Sequence, residues 1–282
     1  MSMQLNQAII KQVAREMGIA EAFVEKDWFI TQTIKILIEN PYQDFQLVFA
    51  GGTALSKAHK LIQRFSEDID FRITAPSLSQ TTTSIKRKKL SGFKKHVLEL
   101  LENHYPKVSL IAKDNNKHII FEIDYPTIYE ITDILRPHIK LEFILADLIL
   151  SGVMQPVSSF INELSNADAE IQQVLCLNPV ENSADKLSAI VWRIPSRIRG
   201  NNDKQPDIVR HLHDLTKLSE QALNSPDFIQ LAVDTIDRDK DRAEMLAGLS
   251  ISEKLSKVLN ILDTDPEYPK EYERFVNSMS YA

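Results

Sequence analysis

The stretch from Phe49 to Ile73, FAGGTALSKAHKLIQRFSEDIDFRI, limits the possible folds more than any other part of the chain. It reads as the end of a strand, a glycine turn, a short helix, and a second strand that opens with paired carboxylates. Gly51 and Gly52 carry no Cβ, so the backbone can turn tightly there and approach a ligand closely. Thr53 stands where a helix would start, with a hydroxyl and several backbone N–H groups aimed forward, a site suited to phosphate. Asp68 and Asp70 are two apart on the following strand and share a face, while Ile69, Phe71 and Ile73 point the other way into a core. Adjacent carboxylates repel unless a cation lies between them, and hard oxygen donors favour Mg²⁺. A phosphate cradle followed by a magnesium pair implies phosphoryl or nucleotidyl transfer.

Charge at first argues against a polyanionic partner, because the 282 residues carry a formal net charge of −6. That excess is local. From Glu220 onward there are 7 Lys+Arg against 13 Asp+Glu, so the first 219 residues are neutral and can hold basic patches. One cysteine, Cys176, excludes an intramolecular disulfide, fits a reducing compartment and reads as a small buried hydrophobe. The N-terminal segment lacks a signal-peptide pattern. The most apolar window, Ile139 to Val153, contains Glu142 and Asp147 and is too short to span a bilayer. These features predict a cytoplasmic protein with no membrane partner.

Hydrophobic spacing predicts helices over 3–17 and 20–39, separated by Gly18 and closed by Asn40-Pro41. Phe45–Phe49 and Phe65–Ile73 read as strands, followed by a Ser/Thr-rich loop to Ser84. A helix over 85–103 carries six Lys or Arg between Ile85 and His96 with no acid. It is either a solvated face or a landing patch for a polyanion near the catalytic cleft. Lys107–Lys113 and His118–Tyr125 form a hairpin about Asp114-Asn115-Asn116. His138–Leu145 reads as a strand and Gln155–Asn162 as another. From Glu170 the character turns helical, over roughly 181–194, 206–219, 226–234 and 251–262, with a polar loop from Pro195 to Gln205. The expected architecture is an α+β chain with an N-terminal helical pair, a mixed sheet of about five strands and a helical C-terminal half.

A metal site on Asp68 and Asp70 would recruit a third carboxylate. Glu142 is the lone acid of an otherwise apolar strand and is either that ligand or an ordinary strand acid. Glu122 and Asp124 repeat the two-apart pattern, but no glycine turn precedes them, and they read better as the wet face of a hairpin. Lys186, near the start of its helix, reads on its own as a solvated charge. Asp207, Arg210, His211 and Asp214 share one helical stripe that pairing within the stripe would also explain. His211 and His213 do not share a face, which argues against zinc.

The motifs GGTALSK and RFSEDIDF resemble those of the AbiEii/AbiGii-type nucleotidyltransferase toxins of type IV toxin–antitoxin systems, the MenT-like group. The match rests on Gly51-Gly52-Thr53 and Asp68-Ile69-Asp70-Phe71. Weaker similarity runs through EKDW at Glu25–Trp28, ADKLSAIVWRI and DIVRHLHDLTKL, so it spans most of residues 20–220. The resemblance implies a polymerase-β-like nucleotidyltransferase mixed sheet with flanking N-terminal helices over residues 1–165, and a helical C-terminal domain over 166–282. It implies that Lys186 contacts nucleotide phosphates and that Asp214 is the acid at the nucleotide or acceptor end. Some relatives add nucleotides to the tRNA 3′ end and so block translation, and their partner is an antitoxin encoded alongside. Ser66 occupies a position that is phosphorylated in some relatives.

The expected reaction is in-line attack of an acceptor hydroxyl, a tRNA 3′-OH, on the α-phosphate of an NTP. Asp68, Asp70 and Glu142 would hold Mg²⁺, Gly51, Gly52 and Thr53 the β- and γ-phosphates, and Lys186 would add positive charge. The basic helix with Arg197 and Arg199 would meet the acceptor backbone. Two alternatives stay open: transfer to a protein hydroxyl (AMPylation-type modification), and a nucleotide-binding regulatory module without turnover.

Overall fold

The computed structural model describes residues 5–42, 45–78, 81–113, 116–131, 135–200 and 208–280. The chain divides into two compact units, residues 1–177 and 178–280. In the first, helices α1 (Gln7–Met17) and α2 (Glu21–Glu39) precede strand β1 (Gln46–Ala50). A single helical turn, α3 (Gly51–Thr53), runs on as a π-helical turn over Ala54–Ala58 before β2 (Asp68–Thr74). Helix α4 (Thr83–Glu102) leads to β3 (Lys107–Lys113), β4 (His118–Asp124) and β5 (Ile139–Leu145). Then come β6 (Val153–Val157), the short α5 (Phe160–Leu164) and β7 (Ile171–Cys176).

The seven strands form one sheet in the order β3-β4-β5-β2-β1-β7-β6. β2 pairs antiparallel with β1 and parallel with β5, and β1 pairs parallel with β7, so the sheet is mixed. Strand alternation sends Phe49, Phe71 and Phe143 to one face in register, where ring centroids lie 5.3 Å and 5.8 Å apart. Phe93 of α4 packs edge-on against Phe143 at 5.2 Å and so covers that face. The same alternation puts Asp68, Asp70 and Glu142 on the opposite face.

Two strand expectations need correction. The sheet has seven strands rather than about five, and β7 lies inside the region expected to be helical. Its Gln172-Gln173 pair hides the alternation, yet Ile171, Val174 and Cys176 are buried and its neighbour β6 is the sheet edge. The strand read over Gln155–Asn162 is β6 followed by α5, which Ser159 caps by accepting from the Asn162 N–H. The Asp114-Asn115 part of the expected hairpin turn, and Asn201, Asn202 and Asp207, lie outside the described residues.

The second unit is built on α6 (Pro179–Ser196), which packs against α7 (Val209–Leu223), α8 (Phe228–Arg238) and α9 (Ile251–Thr264). Asn178 caps α6 and Pro179 supplies its first residue, a position that needs no N–H donor. Val191, Ile236, Ala243 and Leu246 form the core there. A last helix, α10 (Glu267–Met279), was absent from the expectation. Its alternating charges mask the buried Tyr268, Phe275 and Met279. Among the described residues no helix is long and apolar enough to cross a membrane.

Candidate active site

Gly51 adopts φ +72, a left-handed conformation that is strained for other residues. A Cβ built there would lie 2.1 Å from Asp70 Oδ2. The glycine is therefore required twice, for the turn and for the space the carboxylate fills. A Cβ on Gly52 would meet Arg64 Nη2 at 2.5 Å and Ser66 Oγ at 2.9 Å. Arg64 is 2% exposed, so a guanidinium charge backs the glycine turn. That favours an anion in front of the turn and was not anticipated from the sequence.

Thr53 is fully buried. Its hydroxyl bonds to the Asp68 carbonyl and lies 3.0 Å from Ser66 Oγ. The side chain thus ties the turn to the first residue of β2, and any phosphate contact would come from the backbone of this turn. Ser66 is itself buried, against Thr53 and Gly52.

The acids gather as the strand register dictates. Asp70 is opposite Ala50 on β1 and opposite Glu142 on β5, while Asp68 is opposite Lys140. Neighbouring strands lie about 4.8 Å apart, so the Asp70 and Glu142 side chains rise from the sheet side by side. Cations balance this negative face. Arg136 Nη1 bonds Asp68 Oδ1, and Glu142 meets His118 Nε2 at 2.7 Å and Lys140 Nζ at 2.5 Å. Burial alone would raise the Glu142 pKa, but Lys140 and His118 outweigh it and hold the carboxyl below its usual value. Burial likewise opposes charge on Lys140, yet Glu142, Asp68 and Asp70 together hold its pKa up.

Two aspartates on one strand face beside a glutamate form an all-oxygen donor set. Among the described residues no three His, Cys, Asp or Glu side chains are gathered as a complete metal site. Mg²⁺ suits this arrangement, because it binds through one or two carboxylates and takes its remaining ligands from water and substrate phosphates.

Behind the acids, α2 contributes three successive charges, Glu25, Lys26 and Asp27, each no more than 2% exposed. Successive helical residues diverge by about 100°, so each meets a different partner. Glu25 accepts from the Ile128 N–H at 2.9 Å and from Thr127 Oγ1 at 2.5 Å. Lys26 Nζ lies 2.5 Å from Glu67 Oε2 and 2.7 Å from the Arg136 carbonyl. Asp27 meets Lys57 Nζ at 2.5 Å and accepts from the Phe160 N–H at 2.7 Å. Burial pulls Lys26 down and pushes Asp27 up, against the pull of Glu67 and Lys57 respectively. The run VEKDWF held the signal, since three charges bracketed by apolar residues on a buried helix need partners.

Lys186 and Asp214 belong to the second unit, where they pair at 2.7 Å between α6 and α7 with 6% and 0% side-chain exposure. One rung along the same helices, Arg193 Nη1 lies 3.5 Å from His211 Nε2. The Nδ1 of His211 is buried without a hydrogen-bond partner. Burial, then the charges of Lys186 and Arg193, hold its pKa well below the usual histidine value. Arg197 and Arg199, expected to face an acceptor, are instead clamped onto Glu271 and Asp265 of the same unit.

A family model described as nucleotidyl transferase AbiEii toxin, type IV TA system, matches residues 37–282. No curated protein sequence matches the chain. Among solved structures, the nucleotidyltransferase toxin MenT4 of Mycobacterium tuberculosis H37Rv superposes with a TM-score of 0.55 at 17% identity. The alignment covers 95% of this chain and 94% of that one, which shows a shared fold.

Proposed function

The chain belongs to the AbiEii family of nucleotidyltransferase toxins from type IV toxin–antitoxin systems, and from that premise we propose that it transfers an NMP from an NTP to the 3′-OH of tRNA. Translation would stop because the altered acceptor end cannot be aminoacylated. The supporting observation is the Gly51 turn, whose missing Cβ leaves room for Asp70 beside Glu142 in register. Phosphate cradle and acid set are thereby one rigid unit.

In this reading the acceptor oxygen attacks the α-phosphorus as the bond to the β-phosphate oxygen breaks, and pyrophosphate leaves. The backbone of Gly51, Gly52 and Thr53 holds the β- and γ-phosphates, with Arg64 adding positive charge from behind. Asp68 and Asp70 would hold Mg²⁺, with Glu142 as the neighbouring third oxygen donor. When bound, the ion activates the nucleophile and offsets charge on the leaving pyrophosphate. Before that, Arg136 orients Asp68, while Lys140 and His118 orient Glu142 and hold its carboxyl pKa below the usual value. In the second unit Lys186 would contact the nucleotide phosphates, and Asp214, paired with it at 2.7 Å, would be the acid at the nucleotide or acceptor end. The protein would act in the cytoplasm, restrained by an antitoxin encoded alongside it.

The test is incubation with each labelled NTP, Mg²⁺ and total tRNA, with Asp70→Ala as control. Label in RNA from the wild type alone is the expected result. Label in protein would move the acceptor to a side-chain hydroxyl. Calorimetric NTP binding with no consumption by any acceptor would overturn the catalytic reading.

A further inference from the structure

Away from the acids, a cavity of about 390 Å³ opens where α4 begins. Its walls include Ala75, just past the end of β2, and Leu145 and Ala146 at the end of β5. Asp70 and Ala75 are five residues apart along an extended strand, which separates the cavity from the acids by about 16 Å. The basic start of α4 thus lines the cavity at the end of β2 away from Asp68 and Asp70.

The lining has two characters. Lys86 and Arg87 come from the first turns of α4 and Lys117 from just before β4, and Asp147 is the one carboxylate among the described lining residues. Phe45, Leu78, Leu90 and Leu145 supply apolar wall. The frame is fixed by backbone bonds: Leu145 N–H donates to the Lys117 carbonyl at 2.8 Å, Ala146 N–H to Ile73 at 3.2 Å and Leu78 N–H to Ala75 at 2.9 Å. The Arg72 guanidinium lies 3.4 Å from the Asp147 carbonyl and supports the same corner. A cavity lined by three cations together with apolar carbon suits an organic anion with an apolar part. Its volume exceeds what inorganic phosphate would fill and lies in the range of small-molecule sites.

We propose that this cavity is a second nucleoside-phosphate site, distinct from the glycine turn. Lys86, Arg87 and Lys117 hold the phosphate, and the base lies against Phe45, Leu90 and Leu145 with Asp147 able to accept from an exocyclic amine. The ligand is either a free nucleotide or the terminal nucleotide of an RNA strand, which present the same chemistry.

Photolabelling with 8-azido-ATP in EDTA, followed by peptide mapping, tests the assignment. Adducts are expected in peptides spanning 83–90 or 141–147, retained in Asp70→Ala. They should fall at least about tenfold in the Lys86→Ala/Arg87→Ala double variant, since each cation contributes a charge-assisted bond. Ala146→Phe, which fills the apolar floor without changing charge, should reduce them as well. Competition by unlabelled AMP would identify a free nucleotide, and competition by a short oligoribonucleotide alone would identify an RNA end. Adducts confined to peptides spanning 49–73, labelling unchanged in both variants while circular dichroism shows them folded, or competition by neither ligand would each overturn the proposal.

Discussion

Replacing Gly51 by alanine separates conformational cost from catalytic cost, because the chain contains a matched control. Gly18 and Gly51 adopt φ +67 and φ +72, so the same substitution carries nearly the same backbone strain at each. Placing a residue with a Cβ in this region costs about 1–2 kcal/mol, partly offset by the smaller entropy of the unfolded alanine chain. Both variants should therefore lose about 1 kcal/mol, a fall of about 2–4 °C in melting temperature for a protein of this size. The surroundings then diverge. Nothing lies within 4 Å of the new Cβ at Gly18, whereas at Gly51 it would meet Asp70 Oδ2 at 2.1 Å and Cγ at 2.9 Å. The carboxylate must swing away by an ångström or more, a misplacement that can cost about 10²-fold in rate. Gly51→Ala should thus lose roughly two orders of magnitude in nucleotidyl transfer, and Gly18→Ala almost none. Thermal melts and single-turnover transfer with labelled NTP measure the two quantities. Equal activity in both variants would refute the claim that Gly51 exists to seat Asp70.

Three further outcomes follow from the contacts. Lys186→Met or Asp214→Leu alone breaks a buried ion pair and should cost about 3–5 kcal/mol by urea unfolding. The double variant should recover much of that stability but not transfer activity, and recovered activity would make the pair purely structural. Thr53→Val should lose about 0.5–1.5 kcal/mol by removing the hydroxyl that bonds the half-buried Asp68 carbonyl, and Thr53→Ser should lose less. His211 has a folded pKa below its usual 6.5, so as pH falls below 6.5 the unfolded state takes up a proton that the folded state refuses. Stability of the wild type should therefore fall between pH 6.5 and 5, and a urea midpoint showing the same pH slope in His211→Gln would refute this.

The placement of the glycine turn and its two aspartates was legible because it is local. A glycine pair fixes backbone sign, and two-residue spacing fixes which side chains share a strand face, so Gly51, Asp68 and Asp70 could be placed from the sequence. Glu142 was selected as a lone acid on an apolar strand, and the register puts it beside Asp70. The counter-charges were not legible. Arg136, Lys140 and His118 lie 68, 72 and 50 positions beyond Asp68 and meet the acids only because β5 inserts between β2 and β4. Strand β7 was missed for a related reason: its polar Gln172 and Gln173 obscure the alternation, and only pairing with β1 and β6 makes it a strand. Arg197 and Arg199 read as loop charges for an acceptor backbone until α10 supplied Glu271.

The three buried charges of α2 also set a timetable. A growing chain cannot desolvate Asp27 cheaply until Phe160 arrives to donate its N–H, 133 residues later, nor Lys26 until Glu67 and Arg136 have been made. At about 5–20 residues per second, synthesis takes roughly 7–27 s to cover that interval. Through that time α2 has been made while some partners of its buried charges have not. The buried pairs under α2 therefore close only when the sheet is nearly complete.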